Sequence, residues 1–513
     1  MPMSSSSSRC SPDTPPPTER FLSKESCAAL AARVTRFAKG GGESRISIST
    51  SSFGTVRFAR NQIRTSRDVR NNDIAIMRNI MGARVPVVAG NQIDDVSILA
   101  MVRRAERLIL NQAEVGDSRL EGHDPAADPG VPSTIEQLAG IGASSAFSSG
   151  LMDVLNNSPE VYADPKLFFD STFEFDPAKR AAAVEPCVKS ARAAGMQTAG
   201  YIVAEAVGNA VIDTWGHHLY HPRTEAMYTV TVRSPDGSGS GWAGVNWNDW
   251  DRVDAVHLSE IALDKCLRSR NPVRVEPGRY TVVLEPQAVH DICWPLFTTL
   301  DRLLAEGSPG AQEEHGAGVF ARGNKTARIG ERVFDPRVNV SQDPMDPDCG
   351  AMPFDSNGNA IYPATWVKHG VLTDLPYFRN YAIAVLGKNT GLPLADAYRM
   401  TGDDPVSIDD MVKSTKRGIY VTRFTDLQIV DSNSMLMTGF TRDGTWLIEN
   451  GAITKAIKNF RFTESPMFML NNVDALGPAQ RVYARVKNCP FRAAIVPSIK
   501  AHDFSFTSLT DAV

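Results

Sequence analysis

The sequence predicts an α+β fold, in which an N-terminal antiparallel sheet with helices precedes a C-terminal, largely antiparallel β (barrel-like) domain with a few helices. Near the N-terminus, apolar and polar residues alternate at 45–51 and 55–65, as they do in half-buried strands. Amphipathic segments at 19–38 and 96–112 flank these strands, and this order of helix, strands and helix favours α+β. Residues 417–466 then alternate apolar runs with turn dipeptides, which predicts an antiparallel meander.

The chain of 513 residues is too long for one hydrophobic core, so two or three domains are expected. We predict a disordered Ser- and Pro-rich tail at 1–18, an N-terminal α+β domain at 19–233 and a β-rich C-terminal domain at 234–513. The Gly-, Asp- and Ser-rich stretch at 114–146 would split the N-terminal domain into two subdomains. The loop at 234–241, SPDGSGSG, fits either a hairpin loop or a domain boundary. The tail has no apolar core or twin arginine, so a secretory signal is not expected there.

Capping residues and periodicity define the elements of the N-terminal domain. Ser23 is a candidate N-cap for the first helix. Asp176, followed by Pro177, is the N-cap of another helix, which Pro186 should kink and Gly195 should end. The predicted elements are helices at 19–38, 96–112 and 177–194, and strands at 45–51, 55–65, 73–81, 198–205, 210–214 and 218–232.

Turn dipeptides define the elements of the C-terminal domain. Asp443-Gly444 and Asn450-Gly451 are each expected to form a hairpin turn, because Asp, Asn and Gly tolerate positive φ. Ser407 is a candidate N-cap. The predicted elements are helices at 251–268, 287–306 and 407–416, a helix starting at Pro466, strands at 278–284, 334–340, 419–424, 435–441, 445–449 and 453–462, a hairpin at 362–372 and a final strand pair at 496–508.

Composition excludes several classes of function. The residues are 42% apolar and 22% charged, with a net charge of −4 and no long basic block, so a nucleic-acid partner is not expected. No apolar run reaches the roughly 20 residues that span a bilayer, so no membrane association is expected. The cysteines are scattered without a C-x-x-C pair, which indicates a reduced, cytoplasmic compartment. They are Cys10, Cys27, Cys187, Cys266, Cys293, Cys349 and Cys489.

Several segments together resemble a known family. The segment TGFTRDGTWLIENGAI at 438–453 and the following KNFRFTESP at 458–466 are similar to the C-terminal region of the TldD/PmbA metalloprotease family. RFARNQI at 57–63 and NQIDDVSILAMVRRAERL at 91–108 resemble its N-terminal module. In that family, the resemblance implies, one subunit of a two-subunit protease carries a HExxxH zinc motif, and its PmbA/TldE-like partner does not.

The zinc motif should lie on the helix that follows the strand TVVL at 281–284. An ungapped match from Pro286 puts Trp294-Pro295 at the His-Glu position and Thr299 at the second His, and none of these can replace the motif residues. This helix contains one histidine, His290, and no HExxxH occurs anywhere in the sequence. The metal-bearing subunit also ends in a Gly-x-Cys ligand motif. The late cysteine here, Cys489, has no glycine two residues before it. The resemblance is therefore closest to the PmbA/TldE-like subunit, and no catalytic, cofactor-binding or metal-binding residue is predicted in this chain.

Other groups of polar residues are compatible with chemistry, but structural roles explain them better. His217, His218 and His221 look like a metal cluster, yet on a strand His218 would point away from the other two. Glu313, Glu314 and His315 lie in a Gly-rich loop, where charged residues are usually solvated. His290 with Asp291 begins a helix, where Asp suits the dipole. Trp242, Trp247 and Trp250 fit core or interface packing better than ligand stacking.

The sequence thus predicts a non-catalytic subunit of a TldD/TldE-type metalloprotease that acts on unfolded or leader-type peptides. Its expected partner is a HExxxH-bearing TldD-like subunit, in a heterodimer, or a second copy of itself, in a homodimer. No cofactor is expected in this chain, and zinc is expected in the partner subunit. Two alternatives remain: a self-sufficient hydrolase with an atypical site, and a homodimeric peptide-binding or scaffold protein. Edge strands of the meander are the expected contact with peptide.

Overall fold

The computed structural model describes residues 20–39, 42–79, 87–115, 160–307, 318–323 and 326–510. No helix in these ranges is long and apolar enough to cross a membrane. The helices are α1 Lys24–Phe37, α2 Asp95–Val115, α3 Asp170–Phe173, α4 Pro177–Ala182, α5 Glu185–Ala193, α6 Ala255–Arg268, α7 Pro286–Phe297, α8 Arg302–Glu306, α9 Arg379–Tyr381, α10 Ile408–Lys413 and α11 Pro466–Asn471, with a 3₁₀ turn at Trp250–Arg252 and a π-helical turn at Ala382–Leu386.

The strands form two large sheets and one short hairpin. They are β1 Glu43–Ala59, β2 Gln62–Asn79, β3 Val87–Gly90, β4 Gln197–Asp213, β5 His218–Arg233, β6 Ser240–Trp247, β7 Gly278–Leu284, β8 Ala321–Gly323, β9 Thr326–Ala327, β10 Asn339–Gln342, β11 Ala364–Lys368, β12 Val371–Leu372, β13 Ala397–Thr401, β14 Arg417–Asp431, β15 Leu436–Glu449, β16 Ala452–Ala456, β17 Phe460–Glu464, β18 Val473–Arg481 and β19 Ala493–Leu509.

The first sheet is antiparallel, with the order β3-β2-β1-β4-β5-β6, and α1, α2, α5 and α6 bury one of its faces. The predicted strand at 55–65 is wrong, because the chain turns at Arg60-Asn61, where φ is 52° and 59°. The alternating pattern continues through this turn, so it hides the boundary between β1 and β2. The predicted strands at 198–205 and 210–214 are one strand, β4.

Capping predictions in this half are confirmed. Ser23 and Asp176 each accept a hydrogen bond from a backbone N–H of the first turn, at Ser26 and Lys179. The predicted helix at 177–194 is broken at Ala183–Val184, just before Pro186, into α4 and α5. The loop at 234–241 joins β5 to β6 within one sheet, so it is a hairpin loop. The division of the chain into domains stays a prediction.

The second sheet closes into a barrel. Strands β19, β17, β15, β14 and β7 pair in that order, and β7 pairs with β19 to complete the ring. Strands β13, β10, β11 and β12 extend the sheet from β19. Closure pairs the backbone N–H and C=O groups of β7 and β19, which would otherwise be unpaired at the sheet edges. The expected barrel-like β domain is therefore confirmed. The core contains α7, which lies against β14 and β19.

The meander predictions are partly wrong. Asn450-Gly451 does form the turn from β15 to β16, with φ of 50° and 81°. Asp443-Gly444 is a β-bulge inside β15, because its two residues face Thr422 alone on β14. The bulge bends β15 so that it pairs with β17 before this point and with β16 after it. Likewise, the final strand pair at 496–508 is one strand, β19, with Asp503 at a φ of 58° where its register shifts.

Two predicted elements of the C-terminal part are shorter than expected. The helix at 287–306 is divided into α7 and α8, and the chain leaves α7 two residues after Pro295. The strand at 334–340 is confined to β10, which begins at Asn339. The cap at Ser407 and the helix starting at Pro466 are confirmed, and the predicted hairpin at 362–372 turns at His369-Gly370.

Replacing Gly444 with alanine should destabilise the barrel by about 1–3 kcal/mol, because φ is 138° at this residue and a Cβ would lie 2.4 Å from the Trp446 ring. The midpoint of urea unfolding is the measurement. Gly237→Ala is the matched control, since Gly237 also has positive φ but nothing lies within 4 Å of its Cβ position. An equal loss in both variants would show that the bulge does not require close packing against Trp446.

Candidate functional site

Helix α7 lies where the sequence places the zinc-motif helix of the metal-bearing subunit. It begins at Pro286, directly after the barrel strand β7, and proline suits a first helical position. Every residue of α7 except Trp294 is buried. The polar side chains on this helix therefore exchange water for partners inside the protein, and these partners determine what chemistry they can perform.

His290, Tyr398 and Cys489 meet at the middle of α7, and with Asp291 we call them the His290 cluster. The Tyr398 hydroxyl lies 2.8 Å from Nδ1 of His290, and the two rings stack at 18°. The Cys489 thiol sulfur lies 4.0 Å from Nε2 of the same ring. His290 has no exposed surface, and its burial lowers the pKa of the imidazole to about 3. The imidazole is therefore neutral at physiological pH.

Asp291 links α7 to strand β14 and, through Gln287, to the loop at 482–492. Its carboxylate accepts hydrogen bonds from the Phe424 backbone N–H and from Nε2 of Gln287, each at 2.9 Å. Gln287 in turn exchanges two hydrogen bonds with the backbone of Tyr483, at 3.0 and 3.2 Å. Burial raises the pKa of Asp291 to about 6, although Arg423 and these hydrogen bonds act in the opposite direction. The carboxylate holds the helix, the barrel and the loop at 482–492 together.

The Cys489–His290 pair could serve a thiol nucleophile only if the thiol gave its proton to the imidazole. Burial opposes both halves of this transfer. It raises the pKa of Cys489 to about 12 and lowers that of His290 to about 3. A second thiol on α7, Cys293, is also fully buried, and burial raises its pKa. The arrangement favours two neutral groups, and we assign it to packing.

The residues here do not fit a zinc ion. A catalytic zinc takes three protein ligands and keeps one open position. If the HExxxH spacing is counted from His290, Asp291 takes the Glu position and Pro295, which has no donor atom, takes the second His position. In the register expected from sequence, Thr299 lies beyond the end of α7 and donates to the Leu296 carbonyl at 2.7 Å. Within the described ranges, no three His, Cys, Asp or Glu side chains are grouped to hold a metal.

A buried ion network holds the loop at 482–492 against the first sheet. Nη1 of Arg492 lies 2.7 Å from Glu225 and 3.3 Å from Glu205. Asn246 of β6 donates to Glu225 at 2.9 Å and to the Arg492 carbonyl at 2.7 Å. Burial alone would raise the pKa of Glu225, but the neighbouring arginines lower it, so this carboxylate stays ionised. The loop that carries Cys489 is thereby tied to both sheets.

The three histidines near residue 217 do not converge. His217 lies in the turn before β5, and its Nδ1 pairs with Asp213 at 2.8 Å. His218 is exposed. His221 is buried, with Nε2 3.0 Å from the Pro165 carbonyl, and burial lowers its pKa. They therefore form no common metal site.

The tryptophans pack in different places. Trp250 stacks on Phe175 with ring centroids 4.0 Å apart. Arginine side chains lie 3.8 Å and 4.7 Å from the centre of the Trp247 ring. Trp242 lies edge-on to Tyr483. Glu313, Glu314, His315 and Cys10 are outside the described residues.

Comparison with known proteins identifies the barrel region. Residues 277–508 match the family model of the PmbA/TldA metallopeptidase C-terminal domain. This part of the chain is therefore similar to the PmbA/TldD family. A metalloprotease from Methanothermobacter thermautotrophicus is 21% identical over 300 residues, which are 55% of this chain and 62% of that protein. A metalloprotease TldD homologue from Haemophilus influenzae is 24% identical over 280 residues, 52% of this chain and 55% of that protein. The chain thus spans less than two thirds of these relatives.

Solved structures share the fold over nearly the whole chain. TldE from Thermococcus kodakarensis superposes with a TM-score of 0.68 at 13% identity, covering 94% of this chain and all of that one. A protein described as a modulator of DNA gyrase from Bacteroides thetaiotaomicron superposes with a TM-score of 0.71 at 16% identity, covering 95% of this chain and 100% of that one. At such identities the likeness concerns the fold alone.

Sequence reasoning missed most of the side chains that contact His290 and the loop at 482–492. It singled out His290, Asp291 and Cys489 separately, but it gave no reason to join residues about 200 positions apart. Tyr398 and Glu225 carried no motif at all. The sequence signal that could have identified them is a polar residue inside a largely apolar strand. Glu225, which is followed by AMYTVTV, is an example.

Asp291→Asn should make the protein more sensitive to acid. The folded pKa of His290 lies below its unfolded value, so stability is lost as pH falls below about 6.5. The folded pKa of Asp291 lies above its unfolded value, so stability is gained as pH falls from about 6 towards 4. The two effects largely offset each other in the wild type. Without Asp291, the loss between pH 7 and 5 should be about 2 kcal/mol.

Urea unfolding at both pH values checks this expectation. Asp426→Asn is the control, because Asp426 is exposed on β14. The same pH response in the wild type and in Asp291→Asn would contradict opposed titration of the two buried groups.

Proposed function

We propose that this chain is a zinc-motif-free, TldE/PmbA-like subunit of a two-subunit metalloprotease that acts on unfolded or leader-type peptides. Its partner in this proposal is a HExxxH-bearing TldD-like subunit, in a heterodimer located in the cytoplasm. The family of the C-terminal domain and the fold of TldE support the assignment to this type of complex. The scattered cysteines of the sequence support the compartment.

One observation carries the proposal. The helix in the position of the zinc motif has a single histidine, which is fully buried and lies 2.8 Å from the Tyr398 hydroxyl. Water and substrate would need to reach a catalytic metal, and every residue of α7 except Trp294 is buried. A subunit of this kind contributes walls and contacts to a shared chamber, while the partner contributes the metal.

Activity on mixing is the direct test. The purified chain, a HExxxH-bearing relative from the same organism and their mixture are each assayed for cleavage of an unfolded protein such as reduced, alkylated casein. We expect no cleavage by this chain alone and a large increase in the relative's activity on mixing. Cleavage by this chain alone, abolished by a chelator, would contradict the proposal and favour a self-sufficient hydrolase. No increase on mixing, together with a stable homodimer, would favour a scaffold.

We place the docking surface for the partner on the outer half of the β14–β15 hairpin. Strand β7 pairs with β14 only over 418–421, so β15 is the one strand beside residues 425–431 in the described part of the chain. Ile429 and Val430 on this half are 51% and 59% exposed. Phe468 on α11 is 61% exposed. The hydroxyl of Ser465, the N-cap of α11, donates a hydrogen bond to the Ser434 carbonyl of the same hairpin at 2.7 Å. The barrel ring itself has no free edge for a peptide. We therefore place the expected contact between peptide and an edge strand on this half of the hairpin as well.

Replacing Ile429 and Val430 together with serine should weaken the complex by about tenfold or more, because each loses roughly 1–2 kcal/mol of apolar burial at an interface. Size-exclusion chromatography and titration calorimetry with the HExxxH-bearing relative measure this effect. Val161→Ser is the matched control, since Val161 is also highly exposed but lies far from the hairpin in sequence. Equal affinity for the double variant and the wild type would exclude the hairpin from the interface.

A further inference from the structure

The β1–β2 hairpin carries a group of exposed arginines, although the net charge of the whole chain is −4. Residues 57–70 contain five arginines and one acidic residue, Asp68, which is paired with Arg180 of α4. All five arginines are exposed, and none of them forms an ion pair with another residue in the described part of the chain. We call these residues the hairpin arginines: Arg57, Arg60, Arg64, Arg67 and Arg70.

The register of the hairpin places these arginines near one another. Arg57 lies opposite Thr65, and Arg67 lies opposite Thr55, so the two arginines are diagonal neighbours on one face of the sheet. Arg70 lies three residues after Arg67 and therefore points to the other face. Like charges on neighbouring strands repel each other unless an anion lies between them. The hairpin thus presents unneutralised positive charge on both faces.

Strand β2 is also an open edge over most of its length. Strand β3 pairs with it only at 74–77, and the chain leaves the edge after Gly90 towards α2. Among the described residues, no strand pairs with 62–73 on the side away from β1. Within 62–73, Val69 and Asn72 are half-buried and the other residues are exposed. Twelve extended residues offer roughly 40 Å of backbone N–H and C=O groups for pairing.

An acidic polypeptide in extended conformation matches both features. Its backbone would pair with the edge, and side chains opposite each other in neighbouring strands are about 5 Å apart, within reach of an ion pair between a carboxylate and a guanidinium group. A second copy of β2 would bring the same positive charges, so repulsion disfavours it as the occupant. The phosphates of a nucleic acid would neutralise the arginines, but they have no donors for the backbone C=O groups of the edge.

We propose that the free edge of β2 binds an acidic segment of another polypeptide, which adds to the first sheet as an extended strand beside residues 62–73. Backbone hydrogen bonds would hold the segment, and the hairpin arginines would select for Asp and Glu. This binding site goes beyond the proposed function and does not depend on docking at the β14–β15 hairpin. Charged side chains on an edge strand also keep like strands apart, but that role alone would give no preference for an acidic peptide.

Four fluorescein-labelled probes test the proposal by fluorescence anisotropy with the full chain. The first is a ten-residue peptide of valine, threonine and four glutamates, and the second has glutamine in place of every glutamate. The third is the acidic peptide with N-methyl groups on four consecutive central residues, so that neither of its edges can donate hydrogen bonds there. The fourth is a five-nucleotide thymidine strand, which carries four phosphates. We expect the acidic peptide to bind at least about tenfold more tightly than each of the other three.

Hydrogen exchange measured by mass spectrometry locates the bound peptide. We expect the acidic peptide to slow the exchange of backbone amides within 62–73, because an added strand pairs with these amides. Slower exchange only in other parts of the chain would overturn the proposal. So would binding of none of the probes, equal binding of the acidic and glutamine peptides, or equal binding of the N-methylated peptide or the oligonucleotide.

Replacing Arg64, Arg67 and Arg70 together with glutamine should weaken binding of the acidic peptide at least about tenfold. The urea midpoint should stay at the wild-type value, because the three side chains are exposed and have no ion-pair partner among the described residues. An unchanged preference for the acidic peptide in this variant would overturn the role of the hairpin arginines.

The matched control replaces three exposed arginines of α2 with glutamine, which changes the net charge by the same amount. They are Arg103, Arg104 and Arg107. We expect this control to bind the acidic peptide as the wild type does. An equal loss in both variants would show that overall charge is responsible and would overturn the proposed site. Activity on mixing is measured separately, so it distinguishes a failed edge site from a failed subunit assignment.

Discussion

Burial of α7 against the closed barrel is the constraint on which the other features depend. Because β7 leads directly into this helix, closing the ring of strands places the helix against β14 and β19 with almost no surface in contact with water. Desolvation then decides the protonation of the ionisable groups on this helix: His290 is neutral, the Cys293 thiol is protonated, and the pKa of Asp291 is raised to about 6. A catalytic helix requires the opposite, an open face where water and substrate approach.

The second constraint is the link between the two sheets. Glu225 lies on a strand of the first sheet, and the arginines that neutralise it lie on a loop between two strands of the second. Removing one member of such a buried network leaves an unpaired charge, so the network fixes the loop at 482–492 in one position. That position sets Cys489 beside His290.

The sequence predicted local features well and long-range ones poorly. Helix caps at Ser23, Asp176 and Ser407 depend on a few neighbouring residues, so the local sequence was enough to predict them. Asp443-Gly444 has the composition of a hairpin turn, but the strands of a small barrel must bend, and the same positive φ values serve a bulge there. Whether such a pair turns or bends the chain depends on which strands lie beside it. Likewise, the meeting of His290 with Tyr398 and Cys489 follows from barrel closure, which no local pattern encodes.

The central claim is that α7 presents no metal site of its own, and zinc titration of the isolated chain tests it most directly. Competition with a chromophoric chelator measures the affinity and stoichiometry for the wild type and for Cys489→Ala. We expect that neither protein takes up one equivalent of zinc in competition with a chelator of nanomolar affinity. One tightly bound zinc per wild-type chain, lost in Cys489→Ala, would contradict it and would make the His290 cluster a metal centre.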